Sequence, residues 1–208
     1  ERKENFQGKE AKFRWELTDK KDMRDMAAFA MATAEKGDEG KVLEELKDEE
    51  KEEYINKRND ALTYLEKINP KGYKETVKRS PHWITDDKKR KETFASLPPL
   101  YLREKINKES FNYLKENRKE AEEIISQLSR AQLKAITEIE DVETRELAKG
   151  VVEENLQELK KQKKLKPNIE HYLTNTDEGK SLWNLEKTKG QGPTKKSSSY
   201  GSTATYEE

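Results

Sequence analysis

Residues able to do chemistry are few in this 208-residue chain. Its two imidazoles, His82 and His171, lie far apart, and neither sits in a Glu-x-x-His or His-x-x-x-His spacing that would aim two ligands from one helix face. Beside Trp83, His82 reads as a structural group. Cysteine is absent, which removes thiol nucleophiles, disulfides and cysteine-ligated zinc together. Carboxylates abound, but adjacent pairs such as Glu122-Glu123 and Glu153-Glu154 point about 100° apart on a helix and do not converge on a metal. The GQG at Gly190 to Gly192 lacks the lysine-serine ending and following helix of a phosphate-cradling loop, and no nucleophile elbow is present. These residues point to a non-enzymatic chain without cofactor or metal.

Two basic clusters carry the remaining chemical potential. Between Lys71 and Lys91, eight basic residues face three acids, with Tyr73, His82 and Trp83 interleaved. Lys78, Arg79, Lys88, Lys89 and Arg90 suit phosphates and Trp83 suits base stacking, so the stretch is a candidate nucleic-acid contact. The second cluster, KKQKKLK at Lys160 to Lys166, holds five lysines and no acid. Lysines at a helix C-terminus are also expected from its dipole, and either cluster can meet the acidic blocks at Glu44 to Glu53 or Glu138 to Glu154. Either also satisfies the weak lysine-run pattern of a nuclear-import patch.

The elements that must position these groups are helical. Charged residues make up 41% and apolar residues 31%, against roughly 25% and 45–50% in an ordinary globular domain. With 43 basic and 43 acidic residues, no net field draws the whole chain toward nucleic acid or an anionic membrane. No run of about 18 apolar residues occurs, so no membrane span is expected. Absence of cysteine suits an intracellular, reducing compartment. The chain begins at Glu1 rather than methionine, as a processed product or a portion of a longer protein would, and shows no apolar signal-peptide core.

Residues 1–17 lack helical periodicity and read as an N-terminal arm that docks by Phe6, Phe13 and Trp15. A first helix is expected from Asp19 to Lys36, capped by Thr18 or Asp19 and stopped by Gly37, and a second from Val42 to Ile68, with a break possible at Asn59-Asp60. Ser80-Pro81 and Thr85-Asp86 read as helix starts, and Pro98-Pro99 ends this short-helix region, residues 18–99, with its basic connector. From 100 to 166 one apolar stripe runs through Ile125, Leu128, Ile139 and Val142, shifting toward Val152 and Leu156 after breaks at EIEDVETRE or Gly150. Two long helices folded as a hairpin, or a coiled coil, are expected there. Short helices at 167–188 and a flexible polar tail at 189–208 complete the chain.

The fold expected is therefore all-α: an elongated helical bundle, or a helical hairpin or coiled coil, with extended terminal arms. So little apolar area implies seams completed by a partner, with Ile125, Leu128, Ile139, Val142, Val152, Leu156 and Trp183 at the interface. The role this implies is a non-enzymatic structural or adaptor subunit of a larger assembly, in contact with other subunits of the same or a different chain. Nucleic-acid association through Lys71 to Lys91 is the alternative.

Overall fold

The computed structural model describes residues 2–19 and 22–183. Among them every regular element is helical and none is a strand. Twelve α-helices run α1 (Arg2–Asp19), α2 (Met23–Lys36), α3 (Glu39–Glu44), α4 (Asp48–Ile68), α5 (Pro70–Arg79), α6 (Asp87–Ala95), α7 (Lys108–Glu116), α8 (Arg118–Ile125), α9 (Arg130–Thr137), α10 (Val142–Lys161), α11 (Pro167–Asn175) and α12 (Asp177–Trp183). A 3-10 turn (Pro81–Trp83) precedes α6, and a π-helical turn (Tyr101–Lys105) precedes α7.

Local chemistry explains the boundaries. Asp22 caps α2 by accepting from the Arg24 and Asp25 amides, and Gly37 ends it at φ 65°, the left-handed region where glycine pays no Cβ penalty. Asp86 caps α6 through the Lys89 amide, Ser129 and Gln132 form a capping box on α9, and Asp141 caps α10. Pro70 and Pro167 occupy first turns, where a missing N–H costs nothing.

Three apolar clusters form the interior. Two lie in the N-terminal half. In one, Ala27, Ala30 and Ala34 of α2 let that helix approach Leu62 and Leu65 of α4, joined by Val77 and Trp83. The other gathers Ala11, Trp15, Phe29 and Val42 around Tyr54, whose ring meets Trp15 and Phe29 edge-on at 5.7 and 6.2 Å between centroids. The largest cluster spans Phe94 to Leu182. Residues 78–100, which overlap the basic-aromatic stretch, join the two halves.

A buried polar cluster ties the N-terminal elements together. Glu39, the first residue of α3, is buried, and its Oε1 accepts from Arg58 Nη1 of α4 at 2.5 Å and from the Trp83 indole N–H at 3.0 Å. Its Oε2 accepts from Tyr54 OH at 3.0 Å, and the Arg58 guanidinium lies 4.9 Å from the Trp83 ring centroid. Burial, then the charge of Glu39, drives the Tyr54 phenol well above its ordinary range, so it stays a donor.

Several expectations are corrected. Residues 2–17 are helical rather than an extended arm: Ala11 and Trp15, one turn apart, enter the core, while Phe13 and Leu17 stay exposed on the opposite side. The expected second helix is divided at residues 45–47 into α3 and α4, and α4 continues through Asn59-Asp60. The two long helices of 100–166 are a π-helical turn and four helices, α7 to α10, broken at Asn107, Asn117, Ser129 and Asp141. Gly150 lies inside α10 and breaks nothing. Because the chain turns at each break, the apolar stripe folds onto itself: Ile125, Leu128, Ile139, Val152 and Leu156 are buried in one intrachain cluster, not held out for a partner. Val142 alone of that seam is exposed, at 59%. The tail expected at 189–208 lies outside the described residues.

Two stability predictions follow from these contacts. Glu39→Gln leaves the Arg58 charge buried without its carboxylate and should cost about 3–5 kcal/mol by urea denaturation, whereas Glu39→Met with Arg58→Met should recover only the part due to the unpaired charge, because the Tyr54 hydroxyl and the Trp83 indole N–H still lose their acceptor. A Cβ on Gly179 would stand 2.0 Å from the Tyr172 carbonyl oxygen, so Gly179→Ala must push α12 from α11 and should cost about 1–3 kcal/mol in the same assay.

Candidate functional site

The basic-aromatic stretch sorts by residue type. One of its two arginines turns inward: Arg90 of α6 is buried and makes five hydrogen bonds. Nε and Nη2 reach the two oxygens of Glu120 on α8 at 2.7 and 3.1 Å, Nη2 also reaches Asp87 at 2.6 Å, and Nη1 donates to the Ile84 and Thr85 carbonyls. Tyr113 OH donates to the same carboxylate at 2.7 Å. Burial pushes Glu120 upward, but its bonds from Arg90 and Tyr113 outweigh that and hold it below its ordinary range, while burial first, then that bond, raises Tyr113 to about 12. Trp83 is 2% exposed with its N–H spent on Glu39, so neither it nor Arg90 is open to a nucleic acid. The expected contact surface is corrected accordingly.

The other expected residues are scattered. Arg79 is partly buried, and its carbonyl accepts from the Asn107 amide at 2.8 Å. Lys88 is exposed, 4.0 Å from Glu92. Lys78 and Lys89, by contrast, meet across a groove between α5 and α6, and Lys74 joins them. On α5, Pro70, Tyr73, Lys74, Val77 and Lys78 recur at three- and four-residue steps and so share one face; Lys89, Thr93, Leu97 and Pro98 supply the opposite wall. The groove has a volume of about 350 Å³, an apolar floor at Val77, Leu97 and the prolines, and one acid, Glu66 of α4.

Lysine charge in the groove is unevenly held. Lys74 makes no ion pair with any described residue. Lys78 Nζ lies 5.1 Å from the Tyr101 ring centroid, and Lys105 reaches the same ring at 4.9 Å. Tyr101 OH donates to Glu75, and that bond holds the Glu75 carboxyl below its ordinary range. Lys89 Nζ donates to Glu66 Oε1 at 2.9 Å and sits 4.6 Å from the Tyr73 ring centroid. Partial burial opposes its charge, but Tyr73 and Glu66 prevail and raise the Lys89 ammonium above its usual range.

Elsewhere the chemistry is structural. His82 Nδ1 lies 3.1 Å from Ser110 Oγ, the contact a serine nucleophile would use. Yet Ser110 is 0% exposed, and burial, aided by the Arg58 charge, pushes the imidazole down to about 3, far too weak a base to take a serine proton. No group of three or more potential metal-binding side chains occurs among the described residues. In the second basic cluster Lys164 and Lys166 line a cavity with Glu122 and Glu123, and Lys160 Nζ lies 4.6 Å from the Trp183 ring, which packs on the large core. Trp183 is thus partly buried against the chain's own core. No described helix is long and apolar enough to cross a membrane.

The sequence places Lys74, Lys78 and Lys89 in one basic stretch but does not reveal their companions Pro70, Leu97 and Glu66. The i, i+4 spacing of Lys74 and Lys78 was available; the pairing of Lys89 with a residue 23 positions earlier was not. His82 supplies a pH test. Its folded-state affinity for a proton is depressed from about 6.5 to about 3, so its contribution to stability is complete above the unfolded value and is lost as pH falls toward the folded one. Wild-type unfolding free energy should fall between pH 6 and 4 with an extra slope of up to about 1.4 kcal/mol per pH unit relative to His82→Gln, measured by urea titration. No protein-family model, curated protein or solved structure matches the chain, so its functional reading stands on this groove.

Proposed function

We propose that the protein is a non-enzymatic adaptor that holds an acidic segment of a partner protein in the groove between α5 and α6. One observation carries this reading: Lys74, Lys78 and Lys89 converge on an apolar floor whose lining holds a single acid, Glu66, while Glu75, bonded to Tyr101, is the other carboxylate acting on Lys78. An apolar side chain of the partner would rest on Val77, Leu97 and Pro98 while flanking carboxylates meet the lysines, the charge complementarity that gives such contacts their selectivity. The volume of about 350 Å³ suits one or two side chains rather than a folded domain.

The apolar seams first expected to hold a partner are occupied within the chain, so the groove takes their place as the docking surface. Nucleic acid is the weaker reading because the aromatic faces of the stretch are taken. Lys89 covers Tyr73, Lys78 and Lys105 flank Tyr101, and Trp83 is buried under Arg58, which leaves no open ring for a base.

The test is fluorescence anisotropy with a short labelled peptide of alternating glutamate and leucine. Wild type should bind it more tightly than the lysine-leucine or the leucine-free glutamate analogue, and Lys74→Glu with Lys78→Glu should weaken binding about tenfold or more. Equal affinity for all three peptides, or tighter binding to a labelled single-stranded oligonucleotide with the steep salt dependence of phosphate contacts, would overturn the proposal.

A further inference from the structure

The groove does not end at Lys89. A second cleft of about 170 Å³, lined by Leu62, Trp83, Ile84 and the acid Asp86 among others, shares Glu66, Tyr73, Val77 and Lys89 with the larger one. The boundary between the two is therefore drawn by side chains common to both, and the Lys89–Glu66 ion pair at 2.9 Å is the polar contact between them. Lys89 is also the cation lying over Tyr73, so its ammonium covers the ring that both clefts share.

Resting on the reading of the groove as a site for an acidic segment, we infer that Glu66 is a built-in competitor for that segment. In the empty groove its carboxylate occupies Lys89; a carboxylate of the partner takes its place, draws the ammonium off Tyr73 and opens the smaller cleft to a second apolar side chain. Three features make this exchange feasible. The pair is exposed, with 42% and 50% of the two side chains accessible, and such pairs are weakly held. Lysine is a point charge on a flexible stem, free to re-aim between acceptors where an arginine fork would be fixed. And Glu66 sits near the end of α4 with half of its side chain accessible, so it can turn toward water. The preferred ligand thus carries an acid between two apolar residues, one for each cleft.

The test uses the full chain and the glutamate-leucine peptide. Glu66→Gln, which frees Lys89 without changing shape, should tighten binding about threefold or more. Lys89→Gln should weaken it about tenfold, and the double variant should match Lys89→Gln alone, since Glu66 acts only through that lysine. Both positions are solvent-accessible, and far-ultraviolet circular dichroism of each variant checks that the fold is retained. If wild type binds the peptide and Glu66→Gln binds no better, competition is overturned while the groove stands as a docking site. If neither binds, the groove reading falls and this inference with it. Additive effects in the double variant would likewise remove the competitor role.

Discussion

A single buried carboxylate organises the N-terminal half of the molecule. Glu39 receives hydrogen bonds from Tyr54 and Arg58 of α4 and from Trp83 beyond α5, so three separate chain segments are fixed to one charge. Such a group cannot be left half satisfied, because an unpaired ion in a low-dielectric interior costs several kcal/mol. Every partner must therefore arrive in register: α3 must start at Glu39, α4 must present Tyr54 and Arg58 one turn apart, and the 3-10 turn must aim Trp83 inward. The groove inherits this precision, since Trp83 and Ile84 anchor the start of α6 while Tyr73 and Val77 anchor α5.

Composition was legible in its consequence but not in its geometry. An apolar fraction of 31% does forbid a large oily ball, and the all-helical class follows from the periodicity. Composition does not show that short helices make thrifty use of few apolar residues. A continuous rod through residues 100–166 would have left its stripe facing outward, whereas breaks at Asn117, Ser129 and Asp141 return Ile125, Leu128, Ile139 and Val152 to one another. The Asp141 break, with its Asp-x-x-Thr cap, falls in the EIEDVETRE segment where one was expected, and the Ser-x-x-Gln box at Ser129 was equally written in the sequence. At Ser129 that cap prevails over the high helix propensity on both sides, which resists a break only where no cap competes for the backbone.

Arginine and lysine divide the labour in a way that sequence counting of positive charge cannot show. Arg58 and Arg90 lie inside, each meeting a carboxylate and stacking on an aromatic ring. A planar guanidinium with five donors can be satisfied completely when buried, as Arg90 is, and it is weakly hydrated enough to go there. The ammonium groups of Lys74, Lys78 and Lys89 stay at the rim, where water or a partner serves them. A run that reads as one basic patch is in three dimensions a buried Arg90 flanked by lysines at the rim of a groove.

Overall neutrality has the same local resolution. Pairs such as Arg90–Glu120, Lys91–Glu123 and Lys108–Glu143 join helices distant in sequence, so much of the acidic excess of one segment is answered by the basic excess of another. Where that matching is incomplete, the surplus is small in number but concentrated in shape: lysines on two facing helices, over a floor too apolar to hydrate them well. Close to such a surface a charge is screened less than in open water, so a few unmatched lysines there outweigh a larger number spread over exposed helix faces. A chain with no net charge can in this way still discriminate strongly for sign at one place, provided its fold sets the same-sign groups together and keeps their counter-charge within reach but weakly bound.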